Sequence, residues 1–443
     1  MARPAAGAGR QAQVARLLLS AVVGLVGCAQ TGDPPGGPPR TTPAAIMRTF
    51  PESGAVVPDL HGSAVVQFDE VIDEMPGGGG SSTGGAITGL AQKIVLSPVS
   101  GNVKVSWHRS AIHVSPAEGW KRNRVYRLEV LPGIADLRRN ITKKGKTIVF
   151  STDGAVPSAA LSGTALAWVE QRILPQAVIR AAPLPDTVAY VTLTDSTGDF
   201  RLSNIPPGRY RVWAIQDQNN NRRQDRREAF DTVTVAVDTT ASTLLWVFVH
   251  DTVGPRLKGV DPVDSVTFRV NFTQPVDPAR PPDTSSLHLF TLPDSTPVPV
   301  RTLFRPAQYD SIQARARAVA DSLKRLQDSL KRLQDTTHRD TTRAQPQRPP
   351  PAQQPRGGRA ATDTTAKLDT ARVRKLLAQR PVPYDRMVVQ VATPLTPGAK
   401  YLVRVHSTNL NGASASAQGV LVVPVPKPPA DTTKKKAPKP SPP

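Results

Sequence analysis

Twelve consecutive residues, 217–228 (DQNNNRRQDRRE), place oxygen-bearing side chains at relative positions 1, 3, 5, 9 and 12: Asp217, Asn219, Asn221, Asp225 and Glu228. That is the spacing by which a short loop wraps Ca²⁺, because a hard cation takes several carboxylate and amide oxygens converging from one tight turn. Position 6, a glycine in such loops because of the sharp bend, is Arg222, and Arg223, Arg226 and Arg227 crowd the same run. The residues equally suit an Asx-rich turn, in which Asp and Asn accept bonds from their own backbone. Both readings stand at this point, and calcium is the one cofactor the sequence raises.

Other constellations are weaker. His108 and His113 fall on adjacent expected strands without a cysteine or carboxylate at ligand spacing, and His61, His250, His288, His338 and His406 are scattered singly. Asp69, Glu70, Asp73 and Glu74 lie along a strand end and its turn, which reads as a solvated edge rather than an acid pair. There is no phosphate-cradling P-loop, dinucleotide fingerprint or His-Glu-x-x-His run. Trp107, Trp120, Trp168, Trp213 and Trp246, one or two per β unit, read as core side chains rather than a glycan platform. The chain is expected not to be an enzyme and to have no catalytic residues.

The N-terminus is more explicit. Arg3, Arg10 and Arg16, with no acidic residue among them, precede an apolar run from Leu17 to Val26. This is the pattern of a secretion signal, and the run is shorter than the roughly 20 residues that span a bilayer. Leu25-Val26-Gly27-Cys28 resembles a bacterial lipobox. The resemblance implies that Cys28 is acylated and anchors the mature chain to a membrane; with Ala29 next, it implies the outer rather than the inner membrane, facing either the periplasm or the surface. Cys28 is the sole cysteine, so disulfides and cysteine-ligated zinc are excluded.

The remaining elements must fold on apolar cores alone. Forty-five prolines and 5 % aromatics favour loops and short strands, and 443 residues allow two to four domains. Residues 1–28 form the signal and 29–45 a Pro/Gly-rich tether. Residues 46–153 hold short alternating segments (64–68, 93–96, 103–107, 111–114, 125–130 and 147–150) at the spacing of a β-sandwich, with a Gly-rich loop at 77–85. A second β unit spans 157–250, where Phe200 and Leu202 share a face, as do Tyr210, Val212 and Ala214.

A third unit, 255–424, repeats the first: QFDEVID at 67–73 matches NFTQPVD at 271–277, and the strand around Tyr126 parallels that around Tyr401, each followed by a polar turn (Asn140; Asn409, Asn411). It is interrupted by 306–381. There Ile312, Ala316, Val319, Leu323, Leu326, Leu330 and Leu333 form an a/d heptad seam, and the heptad DSLKRLQ occurs twice in tandem. A second helical piece is expected near 367–380. A basic Pro/Lys tail, 425–443, closes the chain.

These segments resemble known families. Residues 46–153 resemble the bacterial Ig-like domain of surface-layer protein A and of envelope lipoproteins, through FPESG at 50–54, the strand 68–73 and Tyr126-Arg127-Leu128. Residues 255–305 with 382–424 resemble a diverged second copy. Residues 157–250 are similar to carboxypeptidase regulatory-like (prealbumin-like) sandwiches, through GDFRL at 198–202 followed by IPPGRY at 205–210. The resemblance implies an all-β fold of tandem Ig-like and prealbumin-like sandwiches in a cell envelope, and no reaction.

Net charge is +21, but much of it sits in the signal, in 306–380 (16 Lys/Arg against 7 Asp/Glu) and in the tail. Solvated basic segments of this kind suit anionic envelope surfaces, and no aromatic-interleaved basic patch argues for nucleic acid. The expected partners are the membrane through Cys28, an envelope protein or anionic glycan, and a second copy held weakly by the heptad helix. The expected role is structural, adhesive or scaffolding; the alternative is a carbohydrate- or peptide-binding accessory protein serving a separate enzyme.

Overall fold

The structure, a computed structural model, describes residues 41–74, 87, 89–336 and 364–425. The signal segment with Cys28, most of the tether, the 77–85 loop and the basic tail from 426 lie outside the described residues. Three β-sandwiches follow one another along the chain, each with its own apolar core.

The first contains β1 (Ile46–Phe50), β2 (Ala64–Phe68), β3 (Ile94–Ser97), β4 (Val103–His108), β5 (Ala111–Pro116), β6 (Val125–Val130) and β7 (Lys146–Ser151). Its sheets are ordered β1-β2-β5-β4 and β3-β6-β7. Alternation does the placing: Ala64, Val66 and Phe68 of β2 point into a core closed by Ile112, Val114, Tyr126, Leu128 and Phe150. β6 departs from the half-buried pattern, with all six residues buried, because both of its faces are covered.

The second sandwich contains β8 (Ala159–Ala167), β9 (Arg172–Ile173), β10 (Val178–Pro183), β11 (Tyr190–Leu193), β12 (Asp199–Ile205), β13 (Gly208–Ile215), β14 (Phe230–Val237) and β15 (Thr240–Val247). One sheet runs β11-β10-β13-β14; the other runs β12-β8-β15, with β9 paired to β8. The turn at Pro206-Pro207 carries the chain from one sheet to the other, and the Tyr210 hydroxyl fixes it by donating to the Pro206 carbonyl at 2.5 Å. Gly163 sits opposite Phe200, where a Cβ would lie 2.2 Å from the Thr243 carbonyl and 2.7 Å from the Phe200 ring.

The third contains β16 (Leu257–Asp264), β17 (Thr267–Val276), β18 (Leu287–Leu292), β19 (Pro297–Val298), β20 (Val300–Phe304), β21 (Tyr384–Val391), β22 (Lys400–Thr408) and β23 (Ser414–Val422), in sheets β16-β17-β21-β20 and β19-β18-β22-β23. Two helices, α1 (Pro306–Thr336) and α2 (Thr364–Leu377), are inserted between β20 and β21, which pair antiparallel. The second helix begins and ends three residues before the stretch read from the sequence. No helix of the described residues is long and apolar enough to cross a membrane.

The repeat read from the sequence has a structural counterpart. The Tyr126 hydroxyl accepts the Lys121 N–H and the Tyr401 hydroxyl accepts the Thr396 N–H, both at 2.9 Å and both five residues back. Ile72 bridges Asp136 as Val276 bridges Asn409. Asp136 accepts the N–H groups of residues 138 and 140, and Asn409 those of 411 and 413. Asp136 thus caps the turn that holds Asn140 as Asn409 caps the one that holds Asn411.

Candidate functional site

The outer face of β6 carries Arg127 and Glu129, an alternation that on an isolated sandwich would point to water. Here the second sandwich covers it. Arg127, 2 % exposed, donates Nη2 to Glu129 Oε1 at 2.5 Å and Nη1 to the Ser203 carbonyl at 2.5 Å. Glu129 Oε2 accepts the Thr192 hydroxyl at 2.9 Å. Ser203 lies on β12 and Thr192 on β11, edge strands of the two different sheets of the second sandwich. One ion pair thus ties both edges, and the Val191 N–H adds a bond to Ser97 Oγ at 3.0 Å. Arg127 Nε has no partner among the described residues.

The 217–228 loop sits at the same joint. Arg222 inserts its guanidinium into the first sandwich, donating Nη1 to the Ile94 carbonyl at 2.5 Å and Nη2 to the Gln92 carbonyl. Burial pushes its pKa down to about 10, against the opposing pull of Asp217 and Glu129. Arg222 occupies the place where a cation loop has glycine, and it adopts the left-handed conformation itself, at φ 54°. Asp217 accepts the N–H of Asn221 at 3.2 Å and of Arg222 at 2.7 Å. Asp225 Oδ2 accepts the amide groups of Asn219 and Asn221 at 2.7 and 3.0 Å, and Glu228 accepts the N–H of Gln218 and Asp225. The five oxygen-bearing residues are gathered in one turn, and their carboxylates are occupied by that turn's own donors. Among the described residues, no group of three or more His, Cys, Asp or Glu is arranged to hold a metal ion.

A second joint holds the insertion. Arg372 of α2 grips Asp199 of β12 with two bonds of 2.7 Å, one from each terminal nitrogen. Burial alone would raise the Asp199 pKa, but its bonds from Arg372, Thr164 and Thr197 hold it below the usual carboxylate range. Beyond the helix, the Arg380 guanidinium lies 5.2 Å from the Trp168 ring and 5.4 Å from that of Trp246. Trp168 Nε1 donates to the Pro381 carbonyl at 3.1 Å. Leu376 and Leu377 pack on the cluster of Leu166, Trp168 and Trp246. These two tryptophans are therefore buried outside the sandwich core, beneath the insertion. From the third sandwich, Asn409 Nδ2 reaches the Asp251 and Val253 carbonyls at 2.8 and 3.0 Å.

α1 behaves differently. Its start is held near β20, where the rings of Phe304 and Tyr309 stand 6.1 Å apart. Along the seam Ile312, Val319, Leu323, Leu326 and Leu330 are 48–60 % exposed. Leu333 is in the helix, and its side chain lies outside the described ones. The positions flanking the seam from residue 320 on (Ala320, Ser322, Gln327 and Ser329) carry no charge, while Lys324, Arg325, Asp328, Lys331 and Arg332 occupy the outer b, c and f positions.

The first sandwich is similar to the bacterial Ig-like domain family, whose pattern matches residues 40–152. No curated protein sequence matches the chain. Among solved structures, the N-terminal part of the bacterial S-layer protein SbsC is similar at 12 % identity and TM-score 0.20, over 40 % of this chain and 25 % of that one. The major pilin subunit BcpA of Bacillus cereus is similar at 11 % identity and TM-score 0.17, over 45 % and 67 %. The TIE protein of Bacillus anthracis is similar at 12 % identity and TM-score 0.16, over 66 % and 52 %. The chain spans a quarter of the length of the S-layer structure, and scores this low carry no argument about what this protein does.

Proposed function

We propose that this chain is a lipid-anchored, non-catalytic scaffold of the bacterial cell envelope. It is held to the outer membrane through Cys28, and it carries a carboxypeptidase regulatory-like sandwich between two Ig-like ones. The observation that carries this reading is the contrast on one insertion: its return is clamped to the second sandwich, while α1 presents an uncovered apolar seam. Burying each large side chain of that seam is worth about 1.5–3 kcal/mol, which makes it an association surface. The occupant is a second copy of the chain. Uncharged flanking positions from residue 320 on let two basic chains meet there without repulsion, and the tandem heptad matches itself. Three heptads are marginal in dilute solution, but anchoring on one membrane raises the local concentration.

An amine-reactive crosslinker applied to membranes bearing the full chain should trap a dimer through Lys324 and Lys331. Leu323→Asp with Leu330→Asp should abolish that dimer. Cys28→Ala should release the chain from the membrane fraction and weaken the dimer band. An unchanged band in the aspartate variant, or a crosslink to a different protein in its place, would sink the proposal.

A further inference from the structure

The outer face of the sheet β11-β10-β13-β14 bears a cluster that neither the joints nor the helix uses. Ile179 and Ala181 of β10 and Tyr210, Val212 and Ala214 of β13 belong to the core. Strand alternation therefore turns Arg180, Arg211 and Trp213 outward. In the register, Arg180 stands directly opposite Trp213, and Arg211 lies two residues before it on the same face. β14 completes the face with Thr232 opposite Trp213 and Thr234 opposite Arg211, both exposed.

Trp213 is not a core tryptophan. It belongs to none of the apolar clusters and is only partly buried. The indole N–H groups of Trp107, Trp120 and Trp168 each reach a carbonyl at 2.8–3.1 Å; that of Trp213 makes no such bond among the described residues. Among the described residues, the two guanidiniums likewise have no carboxylate partner. Burial lowers the Arg180 pKa, and the charge of Arg223 lowers it further with no acid opposing. Arg223 itself donates to Asn102 Oδ1 at 3.1 Å, and the carboxylates of the adjoining loop serve that loop.

We propose that Arg180, Trp213 and Arg211 form a platform for an acidic polysaccharide whose sugars carry carboxylate groups. A pyranose ring presents a face of C–H groups that stacks on an indole, and the free indole N–H meets a ring hydroxyl. Cross-strand neighbours are about 5 Å apart and alternate residues of a strand about 7 Å. A sugar seated on Trp213 therefore brings its carboxylate within reach of both guanidiniums, which bind carboxylates bidentately. Charge complementarity selects the occupant: the face is cationic and uncompensated. β10 and β13, which carry all three side chains, are interior strands, so none of the three stands on the backbone edge where a peptide strand would add. Single-stranded nucleic acid takes successive aromatic platforms along a groove, whereas on this face the Phe230 ring is already stacked on His250 at 3.9 Å.

The test uses the full chain carrying Leu323→Asp and Leu330→Asp, so that failure of self-association leaves it readable. Oligogalacturonate should bind by calorimetry at low salt, and maltohexaose, its neutral counterpart, should not. Trp213→Ala and the pair Arg180→Gln with Arg211→Gln should each weaken binding by about tenfold, the order expected for losing one aromatic stack. Trp213→Phe, which keeps a ring and guards against misfolding, should retain most of the affinity. Equal binding by Trp213→Ala would overturn the platform, as would equal binding of maltohexaose. So would a single-stranded oligonucleotide of matched charge that binds as well and loses affinity in the same variants.

Discussion

The second sandwich is gripped on two sides by arginine–carboxylate pairs of opposite character. At the joint with the first sandwich, the side chains of Arg127 and Glu129 are 2 % and 8 % exposed; at the joint with the insertion, Arg372 and Asp199 are 49 % and 29 % exposed. A buried pair is weak evidence of net stability against an apolar alternative, yet breaking it strands a charge. A half-exposed pair costs little to form and little to lose. The first joint is thus set once, on folding, whereas the second can open while the three cores stay intact.

Breaking that contrast starts with Glu129→Ala. With its carboxylate gone, Arg127 remains buried and uncompensated, so denaturant unfolding should show a loss of about 3–5 kcal/mol. Arg127→Met combined with Glu129→Leu should recover most of it. A single-variant cost under about 1 kcal/mol would mean the joint opens to water. The same joint is probed less severely by Asp217→Ala, which removes the acceptor for two backbone N–H groups. The expected loss is about 1 kcal/mol, with the wild-type melting temperature unmoved by calcium or chelator. A calcium-dependent rise that Asp217→Ala abolishes would make the loop a cation site instead.

The smallest effect belongs to Arg372→Gln, about 0.5–1 kcal/mol at most, seen as faster hydrogen exchange in 371–380 with 125–130 unchanged. Acid should act on the same joint. Because the folded Asp199 carboxyl titrates below its unfolded value of about 3.9, its contribution is present above that value and disappears as pH falls through the folded pKa. In Arg372→Gln the acid step in 371–380 should vanish; if it persists, another group carries it.

Strand pattern is legible where apolar and polar residue types alternate along a segment. Ala64–Phe68 and Val125–Val130 are strands with the ends that their sequences indicate. The heptad spacing marked α1 equally well. Local pattern could not say that Arg127 and Glu129 are buried, because their alternation on β6 is that of a solvent face until another sandwich covers it. The sequence does not mark β10, because Val178-Ile179-Arg180-Ala181-Ala182-Pro183 is buried on both faces except at Arg180 and Pro183, which blurs the period of two. Trp213 reads as a core residue by its type, but the strand places it elsewhere: Tyr210, Val212 and Ala214 share the core face, so Trp213 falls on the other. The oxygen spacing of 217–228 identified a tight polar turn, and only the fold shows Arg222 driven into a neighbouring domain.

The second sandwich begins with β8 and ends with β15, and these two strands lie side by side and parallel, in register from Thr240 opposite Ala160 to Val247 opposite Ala167. Tension applied between the start of β8 and the end of β15 would act on these two strands from opposite ends. Such a pull slides β8 and β15 past each other, so the hydrogen bonds between them carry the load together instead of unzipping in turn.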